Sequence, residues 1–110
     1  MKITDVPFGT TDWATVEATE HPGLTGRALW RTRQFGDIRV RLVEYSPGYL
    51  ADHWCDKGHI LFVVAGELTI EHRDGTSYEL GRGMSWHVAD EVFAPHRVLC
   101  KRGATVFIVD

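Results

Sequence analysis

Gly48-Tyr49-Leu50-Ala51-Asp52-His53-Trp54-Cys55-Asp56-Lys57-Gly58-His59 is the stretch on which the reading turns. His53 and Cys55 stand two apart, and on a strand that spacing sends both side chains to one face. Asp56-Lys57-Gly58 reads as a turn, after which His59 opens the next strand and returns toward the first two. His96, after Pro95, opens a later strand and is the candidate for a fourth donor. Imidazole nitrogen and thiolate sulfur suit zinc, iron, copper and nickel. Magnesium and calcium prefer oxygen, and on a regular strand Asp52 and Asp56 face the other way. The expected centre is therefore a divalent transition metal held by His53, Cys55, His59 and His96, with zinc first and iron, copper or nickel behind it.

Outward from this segment the pattern is β throughout. Ile38–Tyr45 begins by alternating, with Ile38, Val40 and Leu42 on one face and Arg39 and Arg41 on the other, the arginines expected in solvent. Ser46-Pro47-Gly48 ends it as a turn. Ile60–Ala65 is apolar without a break, which suits a strand buried on both faces. Gly66-Glu67 reads as a tight connection into an alternating Leu68, Ile70, His72 strand, and Asp74-Gly75 as a hairpin. Tyr78–Leu80, Met84–Val88, His96–Cys100 and Ala104–Val109 complete the strands. Short strands at this spacing, with no useful helix in the last 75 residues, predict an all-β sandwich or barrel and exclude a parallel α/β sheet, whose crossovers need helices. Residues 1–36 are rich in Thr, Gly and Pro and weakly periodic, with a short helical turn expected near Thr10–Glu17 capped by Thr11 or Asp12.

The segment Gly48, His53-x-Cys55-x-x-x-His59, Gly66 resembles the first motif of the cupins, and Gly83 followed by His96 resembles the second. Cys55 stands where that motif has its second histidine, and His59 where it has a glutamate. The Asp52–His59 segment also looks like a small uncharacterised group with a DHCW motif, here in the order DHWC. The resemblance covers roughly residues 38–109. It implies an antiparallel β-barrel (a double-stranded β-helix, or jelly roll) with a metal in its mouth, and a homodimer. With no carboxylate and one thiolate among the donors, the set leans to zinc.

Composition bounds the rest. At 110 residues the chain is one domain, 1–110, with an N-terminal arm and first strands over 1–36 and the barrel core over 37–110. A formal charge of −3 and no basic run argue against nucleic-acid binding. With 44% hydrophobic and 25% charged residues the chain is an ordinary globular one rather than a disordered one. Two cysteines are too few for a disulfide scaffold, no apolar run is long enough to span a bilayer, and the N-terminus lacks an apolar h-region. A cytoplasmic protein with no membrane partner is expected.

Two functional classes remain. An enzyme would use an open metal position toward a small organic molecule, with His87 and Tyr49 as proton carriers. A binding or structural protein would fill four zinc positions with protein ligands. A reactive Cys55 thiol with His59 or His53 as its base is a further alternative, and a blue-copper site a more distant one. Cys100 is expected as buried filler, His72 and His21 as surface residues, and Trp54 as pointing away from the donors.

Overall fold

The computed structural model describes residues 2–90 and 95–110. A 3-10 turn, Trp13–Thr15, precedes nine strands: β1 Ala18–Pro22, β2 Arg27–Phe35, β3 Ile38–Tyr45, β4 Tyr49–Leu50, β5 His59–His72, β6 Ser77–Gly81, β7 Ser85–Val88, β8 His96–Cys100 and β9 Ala104–Val109. Asp12 caps the 3-10 turn by accepting from Ala14 N at 3.1 Å. Every strand pairing is antiparallel, in the order β1-β2-β3-β9-β5-β8-β4, with β6 and β7 also on β5. The sheet curls round until β4 meets the β1–β2 connection, where Leu50 O accepts from Leu24 N and Leu50 N donates to Thr25 O. No helix among the described residues is long and apolar enough to cross a membrane.

The strand β5 organises the barrel. Its first half pairs with β9 and β7, its second with β6 and β8, so one strand of 14 residues serves both sides. Sequence reading divided it at Gly66-Glu67, and the structure runs it straight through. The register slips between Val63 and Ala65, a β-bulge, and Gly66 follows at φ +75°. A bulge bends a strand and raises its twist. The inward phase switches there: Leu61 and Val63 are buried before it, Leu68, Ile70 and His72 after it.

The same phase corrects a second expectation. Ile60–Ala65 is not buried on both faces, because Ile60, Phe62 and Val64 are 49%, 44% and 42% exposed on the outer side. The core lies inside the curl, with Val43, Val63, Ile70, Val106 and Cys100 fully buried. Cys100 is the filler expected of it, its Sγ 3.3 Å from Glu67 O, and both cysteines are free.

The weakly periodic N-terminal third contains the nine-residue β2, which pairs with β3 along its whole length. The inward side of β3 is the one that carries the arginines. Arg41 and Val43 are buried, while Ile38, Val40 and Leu42 take the outer face and are half-buried. The sequence-based placement in solvent is thus reversed for Arg41, while Arg39 is partly buried on the same inward face.

Gly66 cannot carry a side chain. A Cβ there would lie 2.3 Å from Gly103 O and 2.9 Å from Ala104 Cα, both backbone atoms of the adjoining strand connection. Gly66→Ala combines that overlap with a left-handed conformation, and it should cost about 2 kcal/mol or more. A urea unfolding midpoint clearly below that of the native chain is the expected result.

Candidate metal centre and cavity

Cys55 lies in the irregular link between β4 and β5. It is pinned by a two-way backbone bridge to His96, with Cys55 N to His96 O at 2.8 Å and His96 N to Cys55 O at 2.9 Å. His59 is the first residue of β5 and His96 the first of β8. Three separate segments thus bring one donor each, and the donor atoms of Cys55, His59 and His96 all lie within 4.8 Å of one another. Cys55 Sγ is 3.4 Å from His59 Nε2, and the two imidazoles stand edge to face with centroids 5.3 Å apart. The edge of a tetrahedron with zinc–sulfur and zinc–nitrogen bonds of ordinary length is about 3.6 Å. The Cys55–His59 pair is close to that edge, and all three donor atoms lie within 4.8 Å of one another.

His53 stands apart. The link bends at Asp52 and His53, so the two-residue alternation of a strand does not hold there. The His53 side chain is 77% exposed, and its Nδ1 lies 2.6 Å from Asp52 Oδ1. It reaches the rim of the cavity without joining the three donors.

Behind His59 is a residue that sequence reading missed. Asp110 follows β9, and its main chain exchanges hydrogen bonds with Arg39. Because β9 lies between β3 and β5, this position sits beside His59, Arg39 and Arg41 together. Asp110 Oδ2 lies 2.8 Å from His59 Nδ1, accepts from Arg41 Nη2 at 2.8 Å and from Arg39 Nη2 at 2.9 Å, while Oδ1 accepts from Arg39 Nε at 2.9 Å. A carboxylate on one imidazole nitrogen orients the ring and leaves the other nitrogen to face a metal or thiol.

The titration behaviour follows from these contacts. Burial pushes the Asp110 carboxyl up, but its hydrogen bonds to Arg39 and His59 and the charges of both arginines hold it well below the usual carboxylate range. Burial lowers His59, yet the bonds to Asp110 and Cys55 outweigh it and the imidazole is raised. The Cys55 thiol is brought down to about 5, chiefly by its hydrogen bond with His59 and by the nearby His96 imidazole. A thiolate at neutral pH is the form that binds metals and attacks electrophiles.

These residues line a cavity of about 400 Å³ that opens at the barrel mouth. Trp30, Tyr45, Tyr49 and Trp86 form much of its wall, and Leu61, Ile70 and Ile108 lie deeper. The Tyr49 phenol reaches this cavity with its pKa raised, first by burial. His87 does not: it is exposed, opposite Ile60, and borders a separate shallow depression with Gly58 and Asp90. His72, expected at the surface, is 8% exposed and packs among Tyr78, Trp86 and His96. It shares the inward phase of Leu68 and Ile70, as their alternation implied, and its polar side chain is buried with them. His21, also expected at the surface, stacks on Trp30 at 3.7 Å. Trp54 turns away from the donors, under the Arg97 guanidinium at 4.3 Å.

No family model and no curated protein matches the chain. Solved structures do. An RmlC-like cupin from Shewanella frigidimarina superposes with a TM-score of 0.68 at 17% identity, covering 96% of this chain and 92% of that one. The polyketide cyclase RemF from Streptomyces resistomycificus gives a TM-score of 0.73 at 18% identity over 94% and 78%. A sugar phosphate isomerase of the cupin superfamily from Silicibacter pomeroyi gives 0.67 at 18% over 92% and 74%. Identities this low speak for architecture alone. A curled antiparallel sheet with its polar cluster in the mouth, matched by these structures over nearly its whole length, is a small cupin-fold domain.

Proposed function

We propose that this domain binds one divalent transition metal, zinc first, through Cys55, His59 and His96, and that its cavity receives a small organic molecule beside that ion. The observation that carries the reading is the convergence of three donors from separate segments at the cavity wall, one of them buried and unsatisfied. His96 is 5% exposed and its Nε2 has no hydrogen-bond partner among the described residues. A buried polar atom left unpaired is costly, and a metal bond would satisfy it.

With His53 turned outward, three protein ligands leave a fourth position open, the arrangement of catalytic rather than structural zinc sites. When bound, such an ion supplies Lewis acidity toward an oxygen of the molecule held there. The chain's own residues do the rest. Asp110 orients His59, the aromatic wall excludes water, and Tyr49, a phenol at neutral pH, stands as proton donor or acceptor on the cavity side. The small-molecule chemistry named for the polyketide cyclase and the sugar phosphate isomerase is compatible with this use of the fold.

The line Cys55–His59–Asp110 also supports a second reading, a thiolate nucleophile with an oriented base. Metal content separates the two. Zinc titration with elemental analysis should give one ion per chain and raise the melting temperature, since an ion that binds only the folded state stabilises it. Cys55→Ser should abolish both effects, and His53→Ala should leave both nearly intact. Asp110→Asn, which removes both the orienting carboxylate and the counter-ion of Arg41, should weaken zinc binding by about 10–100-fold and lower the melting temperature of the metal-free protein. Failure of the native chain to take up any zinc would overturn the metal reading and leave the thiolate one.

A second measurement concerns the thiol itself. In metal-free protein, alkylation of Cys55 by iodoacetamide should rise with pH through an inflection about 5. The thiolate is the reacting form and persists above that pH. Zinc should suppress the reaction at neutral pH, where the donors are deprotonated and the ion is held. An inflection in the ordinary thiol range would show that His59 and His96 do not hold the thiolate.

A further inference from the structure

We propose that the cavity recognises a small carboxylate on a compact apolar or aromatic body, with Arg41 as its principal partner and Lys57 assisting at the mouth. The inference rests on reading this cavity as the functional site, and not on which metal it holds.

The charge on the wall is one-sided. Arg39, Arg41, Lys57 and Arg97 all line the cavity, and no Asp or Glu does among the described residues. Arg97 is matched from outside, giving Nε and Nη2 to Glu71 Oε1 at 3.2 and 2.9 Å. Asp110 is a single carboxylate shared by Arg39, Arg41 and His59. Cys55 Sγ lies against His59 Nε2 at 3.4 Å. Among the described residues, Arg39, Arg41 and Lys57 therefore bring more positive charge than the one Asp110 side chain returns.

Arg41 gives the excess a direction. The residue is 5% exposed, its guanidinium lies 4.3 Å over the Trp30 ring, and Nη2 is committed to Asp110. Its Nε is buried and has no partner among the described residues. A guanidinium does not shed its proton at any ordinary pH, so this donor calls for an acceptor, from water or from a ligand. Carboxylates match the guanidinium fork, and a charge-assisted bond in a water-poor site is strong. The faces of Trp30, Tyr45, Tyr49 and Trp86 then leave flat apolar walls for the body that carries the carboxylate.

Benzoate and its neutral counterpart benzamide are suitable probes. Both are titrated into uniformly ¹⁵N-labelled protein at constant ionic strength, following the arginine side-chain Nε–H signals, with zinc and after chelation. Benzoate should saturate and move the Arg41 signal, benzamide should leave it in place, and inorganic phosphate should have a smaller effect. Arg41→Lys, which keeps the charge but removes the fork, should weaken benzoate by about tenfold. Lys57→Gln, a change at an exposed residue, should also weaken it and serves if the Arg41 variant does not fold. Equal responses to benzoate and benzamide, a stronger response to phosphate, or no movement of Arg41 would each overturn the proposal. If zinc fails to bind while benzoate still moves Arg41, the metal reading falls and the anion site stands.

Discussion

The Asp110 carboxylate ties the mouth of this barrel together. It joins β3, β5 and β9 by accepting from Arg39 and Arg41 and holding the inner nitrogen of His59. A guanidinium as buried as that of Arg41 requires such a counter-ion, because an unpaired charge in a low-dielectric interior is severely penalised. The same carboxylate also fixes the ring of His59 and so the direction in which its other nitrogen faces Cys55. Stability of the mouth and chemistry of the cluster are thus one network, and a change to any member is felt by the rest.

The long strand β5 provides the frame for that network. Its first residue is a donor of the cluster, and its last, His72, packs behind another. Between them the bulge and Gly66 let one strand pass from one side of the barrel to the other. Without the bulge the inward phase would continue unbroken, and His72 would not lie against His96 and Trp86. The glycine is required because backbone from the β8–β9 connection occupies the space a side chain would need.

The polar cluster and the apolar wall divide the cavity's work. The cluster faces one side with a thiolate, two imidazoles and the arginines behind them. The wall offers the flat faces of two tryptophans and two tyrosines. Such a combination, a few fixed polar groups in a mostly apolar concavity, is typical of sites for small organic molecules. The exposed Ile60, Phe62 and Val64 belong to the opposite face of the same sheet and contribute nothing to this cavity.

The sequence by itself determined the all-β architecture and most strand positions from Ile38 onward, and it singled out Cys55, His59 and His96, which the fold brings together, because these depend on local alternation, turn chemistry and residue type. It did not reveal β2, whose run Arg27–Phe35 alternates poorly and takes its shape from pairing with β3. It divided β5 at a glycine that the tertiary fold uses as a bend. It set Arg39 and Arg41 in solvent and His72 at the surface, since arginine and histidine on a strand usually lie there. Only the folded barrel brings Asp110, distant in sequence, beside Arg39 and Arg41 and makes the burial of Arg41 tolerable. The cluster's chemistry was legible in the identity of its donors. Its geometry, with His53 outside and Asp110 behind, was decided by strand order, because neighbours across a sheet leave no trace in local periodicity.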